Sequence, residues 1–372
     1  MDEESIDFLR RLCDSHGPSG FEGETAAILR EFVEKYADRV YSDRIGSLVF
    51  EKKGTAESPV VLIPGHMDEI GFIITSIDEK GYLTFHELGG WFDQILPGMN
   101  IVVISKKGKV KGTIACKPPH VLDKEEREKV IRKEKMFIDV GCSNVDEVKE
   151  LGIRIGDAAV PDTSFRLMRK SSFREGKPAG ERTLVFAKGL DDRIGAFLSA
   201  MTVRRLREED VRHPNTVIGA GTAQEEVGLR GARTVANMVR PDVAVILEVD
   251  VAGDVPGLTA QQAPTKMGEG VGIVTYDATM IPNQALKELA IDICEERGIP
   301  YQLSQLSGGG TDAGAIHISN VGCPSIVLTV PTRHIHSPTG LLDMGDVESA
   351  ISLVVELVKV LDKETLEGFT RL

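Results

Sequence analysis

The sequence predicts a layered α/β domain interrupted by a small, mainly β insertion. Two observations lead there. Short runs that are apolar at nearly every position end in polar clusters, and helical apolar spacing recurs between them, which is the texture of strands covered on both faces. From about residue 73 to 172 that texture gives way to short, turn-bounded, partly alternating segments. A chain of 372 residues has room for a host domain with a substantial insertion. The expected division is 1–72 and 173–372 for the host, with 73–172 inserted.

Taken in order, Ile6, Phe8, Leu9 and Leu12 predict an amphipathic helix that stops near Gly17-Pro18-Ser19-Gly20. Ser19 and Glu22 have capping-box spacing ahead of a second helix with Ala27, Ile28, Leu29, Phe32 and Val33 on its apolar face. Ser47 to Phe50 and Val60 to Ile63 read as strands, the latter running into Pro64-Gly65-His66-Met67-Asp68. In the insertion, Tyr82 to Phe85, Asn100 to Ile104, Val110 to Ala115 and Phe137 to Val140 read as short strands. Ser105 to Lys111 forms a hairpin surface, and only the charged stretch Lys124 to Lys135 has longer helical periodicity.

After the insertion, Ala187 to Leu190 leads to Asp191-Asp192 and a helix over Ile194 to Leu206. Val217 to Ala220 leads to Gln224-Glu225-Glu226, Val243 to Leu247 to Glu248, and Ile326 to Val330 to a segment with His334 and His336. Gln284 to Glu296 and Val347 to Leu361 carry helical spacing. The two halves of the host are expected to build one sheet.

Composition limits the function. Acidic residues outnumber basic ones 57 to 44, a formal net charge of -13 that repels a phosphate backbone, so nucleic acid is not an expected partner. The chain has no run of eighteen apolar residues and no apolar export segment at its start, so neither a membrane span nor secretion is expected. Five dispersed cysteines without a Cys-x-x-Cys pair fit reduced thiols and a cytoplasmic location.

The chemistry is carried by polar residues at the ends of five strand-like runs: His66 and Asp68, Asp191 and Asp192, Glu225 and Glu226, Glu248 and Asp250, His334 and His336. Singly, each has an ordinary structural reading as a turn, cap or solvated residue. Together they are the oxygen and nitrogen donors that divalent cations take, and a pair of ions needs an anionic bridge. In extended backbone, Asp68 stands behind His66 and accepts its second ring proton. Of the adjacent Glu225 and Glu226, one binds metal and its neighbour takes a proton from water. Gly308-Gly309-Gly310-Thr311-Asp312 lacks the lysine of a nucleotide loop, and is expected to bring backbone close to substrate before a helix over Asp312 to Ile318, with a purely structural turn as the alternative. His334 either lines the pocket or fills surface.

These residues carry a resemblance. Pro64 to Phe72, Leu190 to Gly195, Gln224 to Gly228, Ala252 to Gly257, Gly308 to Ala313 and Pro331 to Pro338, in that order, resemble the M42 family of metallo-aminopeptidases over nearly the whole chain. The resemblance implies a three-layer α/β zinc-peptidase-like catalytic domain, an inserted domain used in dimer contacts, and dimers assembling into a hollow dodecamer. It implies two divalent ions per subunit, zinc or cobalt ahead of manganese, acting on short peptides from their amino end. Asp191 would bridge the ions, one held also by His66 and Glu248, the other by Glu226 and His336. Asp68 would support His66, and Glu225 would be the general base. Glu248 stands where the family usually has Asp, which leaves Asp250 as the fallback ligand.

Two other readings compete. An endoglucanase-type glycoside hydrolase needs a carboxylate pair and aromatic platforms, whereas this chain has one Trp, Trp91, and 5% aromatics. A non-catalytic, metal-stabilised binding protein would have no use for a spare Glu225 beside saturated metal ligands.

Overall fold

The structure is a computed structural model and describes residues 1–174, 177–306 and 308–370. The host strands are β1 (Arg39–Ser42), β2 (Leu48–Lys53), β3 (Val60–His66), β12 (Thr216–Thr222), β13 (Val243–Val251), β14 (Val271–Asp277), β15 (Tyr301–Leu306) and β16 (Ser325–Thr332). They form one eight-stranded sheet in the order β1-β2-β12-β3-β13-β16-β14-β15. The two halves of the host therefore share a sheet, as the sequence predicts. The central strands β12, β3, β13 and β16 run parallel, so their carboxyl ends lie on one edge, where open α/β sheets bind ligands.

Alternation along these strands builds three layers. Val61 and Ile63 of β3 and Val245 and Leu247 of β13 join one apolar core with α1 (Glu3–Asp14), α2 (Gly23–Val33), α5 (Leu190–Glu208) and α9 (Met344–Val360). Leu62, Ala244 and Ile246 point the other way, into a second core with α6 (Arg230–Val239) and α8 (Ala313–Ile316). With both faces covered, the strands must be apolar at every position, which is why they read as continuous runs. Helices α7 (Gln284–Arg297) and α10 (Lys363–Phe369) complete the first layer.

The insertion is a closed barrel of β4 (Gly71–Ile77), β5 (Leu83–Leu88), β6 (Asn100–Ser105), β7 (Gly108–Ala115), β8 (Phe137–Asp139) and β9 (Ala158–Pro161), with a core of its own that includes Phe72, Leu83, Ile101 and Ile138. Closure removes exposed strand edges, so so small a sheet is stable. The hairpin expected over Ser105 to Lys111 joins β6 to β7.

Four expectations need correction. The Lys124 to Lys135 stretch yields only the short α3 (Lys124–Arg127) and a 3₁₀ turn at Lys133–Lys135, because its residues are largely exposed and offer no buried face to hold a longer helix; α4 (Val145–Glu150) lies beyond it. Ser19 does not cap α2, whose N-cap is Glu22 without a side-chain bond to the helix. The strand that feeds Asp191, β11 (Lys177–Ala187), pairs with β10 (Arg166–Arg174) and β17 (Gly340–Asp343) in a separate antiparallel sheet. Glu248 lies within β13, three residues before its end.

Candidate metal centre

The site begins with a close approach between backbones. Register places His66, the last residue of β3, beside Thr222, the last of β12. Under them passes α5, and a β carbon on Gly65 would lie 2.2 Å from the carbonyl carbon of Gly195. Only glycine at Gly65 leaves room for this crossing. The crossing lets Asp192 accept the His66 N–H at 3.0 Å and the Gly195 N–H at 2.9 Å. Asp191 and Asp192 have non-helical φ/ψ and a cis peptide bond between them, ahead of the regular turns of α5. The Asp191 carboxylate lies between two imidazoles, Oδ1 3.2 Å from His66 Nε2 and Oδ2 3.1 Å from His336 Nε2.

Each imidazole is aimed by its other nitrogen. His336 Nδ1 lies 2.8 Å from the carbonyl of Gly90, on the loop that follows β5 of the barrel. His66 Nδ1 lies 3.1 Å from the Asp68 carbonyl oxygen and 3.4 Å from Asp68 Oδ1. A proton on each Nδ1 would leave the Nε2 lone pairs free to bind cations in place of the hydrogen bonds that Nε2 gives Asp191 here. Asp68 thus stands behind His66, with its main-chain oxygen nearest. Its carboxylate accepts the Ser19 hydroxyl at 2.6 Å and the N–H groups of Glu225 and Glu226 at 3.0 and 3.2 Å, so it also fixes the turn after β12.

Two groups of donors have the compactness of cation sites, their ligand atoms lying within 4.8 Å of one another: His66, Asp192 and Glu248, and His66, Asp191 and Glu226. His336 Nε2 is 3.5 Å from Glu226, and Glu225 is 3.7 Å from His66 Nε2. Asp250 is absent from both groups; its Oδ2 accepts hydroxyls from Thr265 and Ser304, while its Oδ1 is buried without a partner.

The electrostatics ask for cations. Burial first, and neighbouring carboxylates after it, push Asp192, Glu225, Glu226 and Glu248 above the ordinary carboxylate range. Burial opposes charge on Asp191 too, but hydrogen bonds from His336 and His66 hold its pKa below that range. The buried Glu226 Oε1 has no hydrogen-bond partner, which is costly for an anion unless a cation lies beside it. Oxygen and imidazole donors without thiolate suit zinc, cobalt or manganese.

All of His66, Asp68, Asp191, Glu225, Glu226, Glu248 and His336 therefore meet at the sheet edge. Exposed His334 lies outside the adjoining cavity, while Gly308, Gly309 and Gly310 line it. Four contributors lie outside the roles that the sequence pattern assigns. Asp192 stands beside Asp191 in that pattern without a role of its own. Ser19 reads there as a cap, and Gly90 acts through its carbonyl, which no side-chain pattern reveals. Buried Asp312 receives the Thr222 hydroxyl close to Glu225; its only signal was the glycine run before it.

Comparison with known proteins converges on one group. A family model described as M42 glutamyl aminopeptidase matches residues 46–353. The putative aminopeptidase FrvX of Escherichia coli K12 is 33% identical over 368 residues, 99% of this chain and 98% of that protein. The crystal structure of a TET aminopeptidase from the marine sediment archaeon Thaumarchaeota archaeon SCGC AB-539-E09 superposes with a TM-score of 0.93 at 52% identity, covering 99% of both chains. The Pyrococcus horikoshii TET1 peptidase, which can assemble into a tetrahedron or a large octahedral shell, gives 0.80 at 31% identity, over 96% of this chain and 100% of that one.

Proposed function

Because this chain belongs to the M42 aminopeptidase family and is a metal-dependent aminopeptidase with a candidate dinuclear centre, we propose a division of labour among its residues. Asp191 would be shared between two divalent ions, with His66 and Glu248 holding one and Glu226 and His336 the other. The observation that carries this is the Asp191 carboxylate, with each oxygen facing a different imidazole. Asp192, held by two backbone N–H groups, positions the turn that presents Asp191.

Ions bound there supply Lewis acidity to the scissile carbonyl and acidify water. Glu225 faces the cavity, and burial together with Asp312, Glu248 and Glu226 raises its proton affinity against the pull of His66. It takes the proton of the attacking water and returns it to the leaving amine. Asp68 acts indirectly, holding His66 and the Glu225–Glu226 turn in register. Glu225→Gln is expected to lower kcat about 10²–10⁴-fold while two equivalents of metal remain bound, measured by initial rates and elemental analysis on the same sample. Unchanged turnover at full metal content rejects Glu225 as the base.

The glycoside-hydrolase reading is not favoured. Trp91, the one tryptophan, is buried, stacks on Phe72 and donates its indole N–H to the Gly71 carbonyl, so it offers no sugar platform. The matched family and the carboxylate-rich centre, which has no thiolate, also argue against a purely structural metal site.

Among the described residues no helix is long and apolar enough to cross a membrane. The proposed quaternary state is a homo-oligomer of dimers reaching a dodecamer, supported by the assembling TET relative. The domain division 1–72, 73–172 and 173–372 is proposed with it, supported by barrel strands that run from Gly71 to Pro161. Cytoplasmic location is proposed from five cysteines, none in a disulfide.

A further inference from the structure

Next to the metal centre lies a cavity of about 730 Å³ whose far wall determines what it can hold. A peptide cut at its first bond places its amino end and first carbonyl at the centre, so the first side chain extends along that wall. The charged side chains lining the cavity are His66, Asp191, Glu225, Glu226, Glu248 and His336, all members of the centre itself. Beyond them, the described lining contains neither a lysine or arginine to meet a carboxylate nor a spare acid to meet an ammonium group.

The wall instead presents Val249, Val251, Leu258, Leu306 and Ile335. Val251 and Leu258 are 41% and 37% exposed, apolar surface left uncovered in the cavity lining. The polar side chains of the lining are neutral, and Gln262 and Gln305 each have one end of the amide engaged. The Gln262 carbonyl accepts both the N–H and the hydroxyl of Thr259 at 3.0 Å, and the Gln305 amide donates to the Gln261 carbonyl at 2.7 Å. The nearby Arg333 is spent on both oxygens of Asp254. Gly308 and Gly309 meet nothing where a β carbon would stand, so they leave the cavity open without a packing need for it.

We propose that this enzyme selects peptides whose first residue has a sizeable uncharged, apolar side chain, on the scale of leucine, methionine or phenylalanine. The inference rests on the aminopeptidase reading of the centre. Its physical basis is asymmetric. An apolar side chain gains by leaving water, whereas a carboxylate or ammonium group entering this wall loses hydration and finds no opposite charge there. Leu258 and Gln262, on the loop after β13, are the specificity-determining positions.

The test is kcat/KM on the Leu-, Met-, Ala-, Glu- and Lys-p-nitroanilides with cobalt- or zinc-loaded protein, each repeated after chelation. Leucine and methionine are expected to exceed alanine about 10-fold or more and both charged residues about 100-fold. Calorimetric dissociation constants for free leucine, glutamate and lysine should follow the same order. Leu258→Arg should raise the Glu/Leu ratio at least about 10-fold, with Gln262→Arg as the second variant if the first does not fold. Chelator-sensitive turnover led by Glu or Lys overturns the inference and leaves the aminopeptidase reading standing. No chelator-sensitive release from any substrate removes the reading itself, and the inference with it.

Discussion

Two clusters of buried charge meet at the junction of β3 and α5, and they are built on opposite plans. In one, the Glu69 carboxylate accepts from Lys188 at 2.7 and 2.8 Å, from Arg193 at 2.8 Å and from the Gly17 N–H at 3.2 Å. Lys188 and Arg193 also donate to the carbonyls of Cys13, Ser15, Gly17 and Met67 and to the Thr25 hydroxyl. In the other, a few residues along the same segments, Asp191, Asp192, Glu225, Glu226 and Glu248 gather around two imidazoles, with no lysine or arginine bridged to them among the described residues. The first is satisfied by the protein and ties the N-terminal segment to both ligand-bearing turns. The second is left in deficit and is satisfied only by something the protein binds. Burial alone does not mark a functional charge; several carboxylates buried together without a lysine or arginine are the stronger mark.

That contrast can be broken in several places. Removing divalent ions with a chelator should abolish peptide hydrolysis and lower Tm, because it leaves the unbalanced cluster bare. Activity and Tm both unchanged by exhaustive chelation, checked by elemental analysis, would show that the carboxylates need no cation. Glu69→Gln should destabilise the fold by about 3–5 kcal/mol, since it strands two buried cations. Denaturant titration measures it, and a loss below about 1 kcal/mol would mean that the two clusters are not so different.

Ser19→Ala should cost about 10-fold in metal affinity, read by competition with a chelating dye, because the Asp68 carboxylate loses its hydroxyl donor at 2.6 Å. An unchanged affinity would confine Ser19 to the local fold. The smallest effect concerns His16, at the rim of the satisfied cluster. Burial, then Lys188 and Lys109, lower its pKa from 6.5 to about 4. Since the unfolded chain takes up this proton first, the contribution to stability is intact above about pH 6.5 and erodes as pH falls toward 4. His16→Gln should flatten that part of the Tm profile, and a profile identical to the parent's would show that His16 titrates normally.

How far the sequence reveals this depends on the range of each interaction. The runs Val60 to Ile63 and Val243 to Leu247 are legible because strands buried on both faces must be apolar throughout, and the polar residues after or within them stand out. Ser19 misleads because capping-box spacing is a local rule, while its hydroxyl binds a carboxylate 49 residues away. The strand before Asp191 looks like its neighbours in sequence, yet it pairs with β10 and β17, a choice set by tertiary contact. The apolar wall of the cavity draws on Leu258 and Ile335 from separate connections and on Leu306 from the end of β15, and no periodicity links them.

At the crossing of Gly65 over Gly195, the geometry of catalysis is set by atoms that are missing. A single methyl group there would prise the strand from the helix and carry His66 away from the two aspartates, although every ligand would still be present in the chain. The reactive centre thus depends on two hydrogen atoms where other residues have carbon. A scan that replaced only its polar residues would pass over the hinge pin on which they all hang.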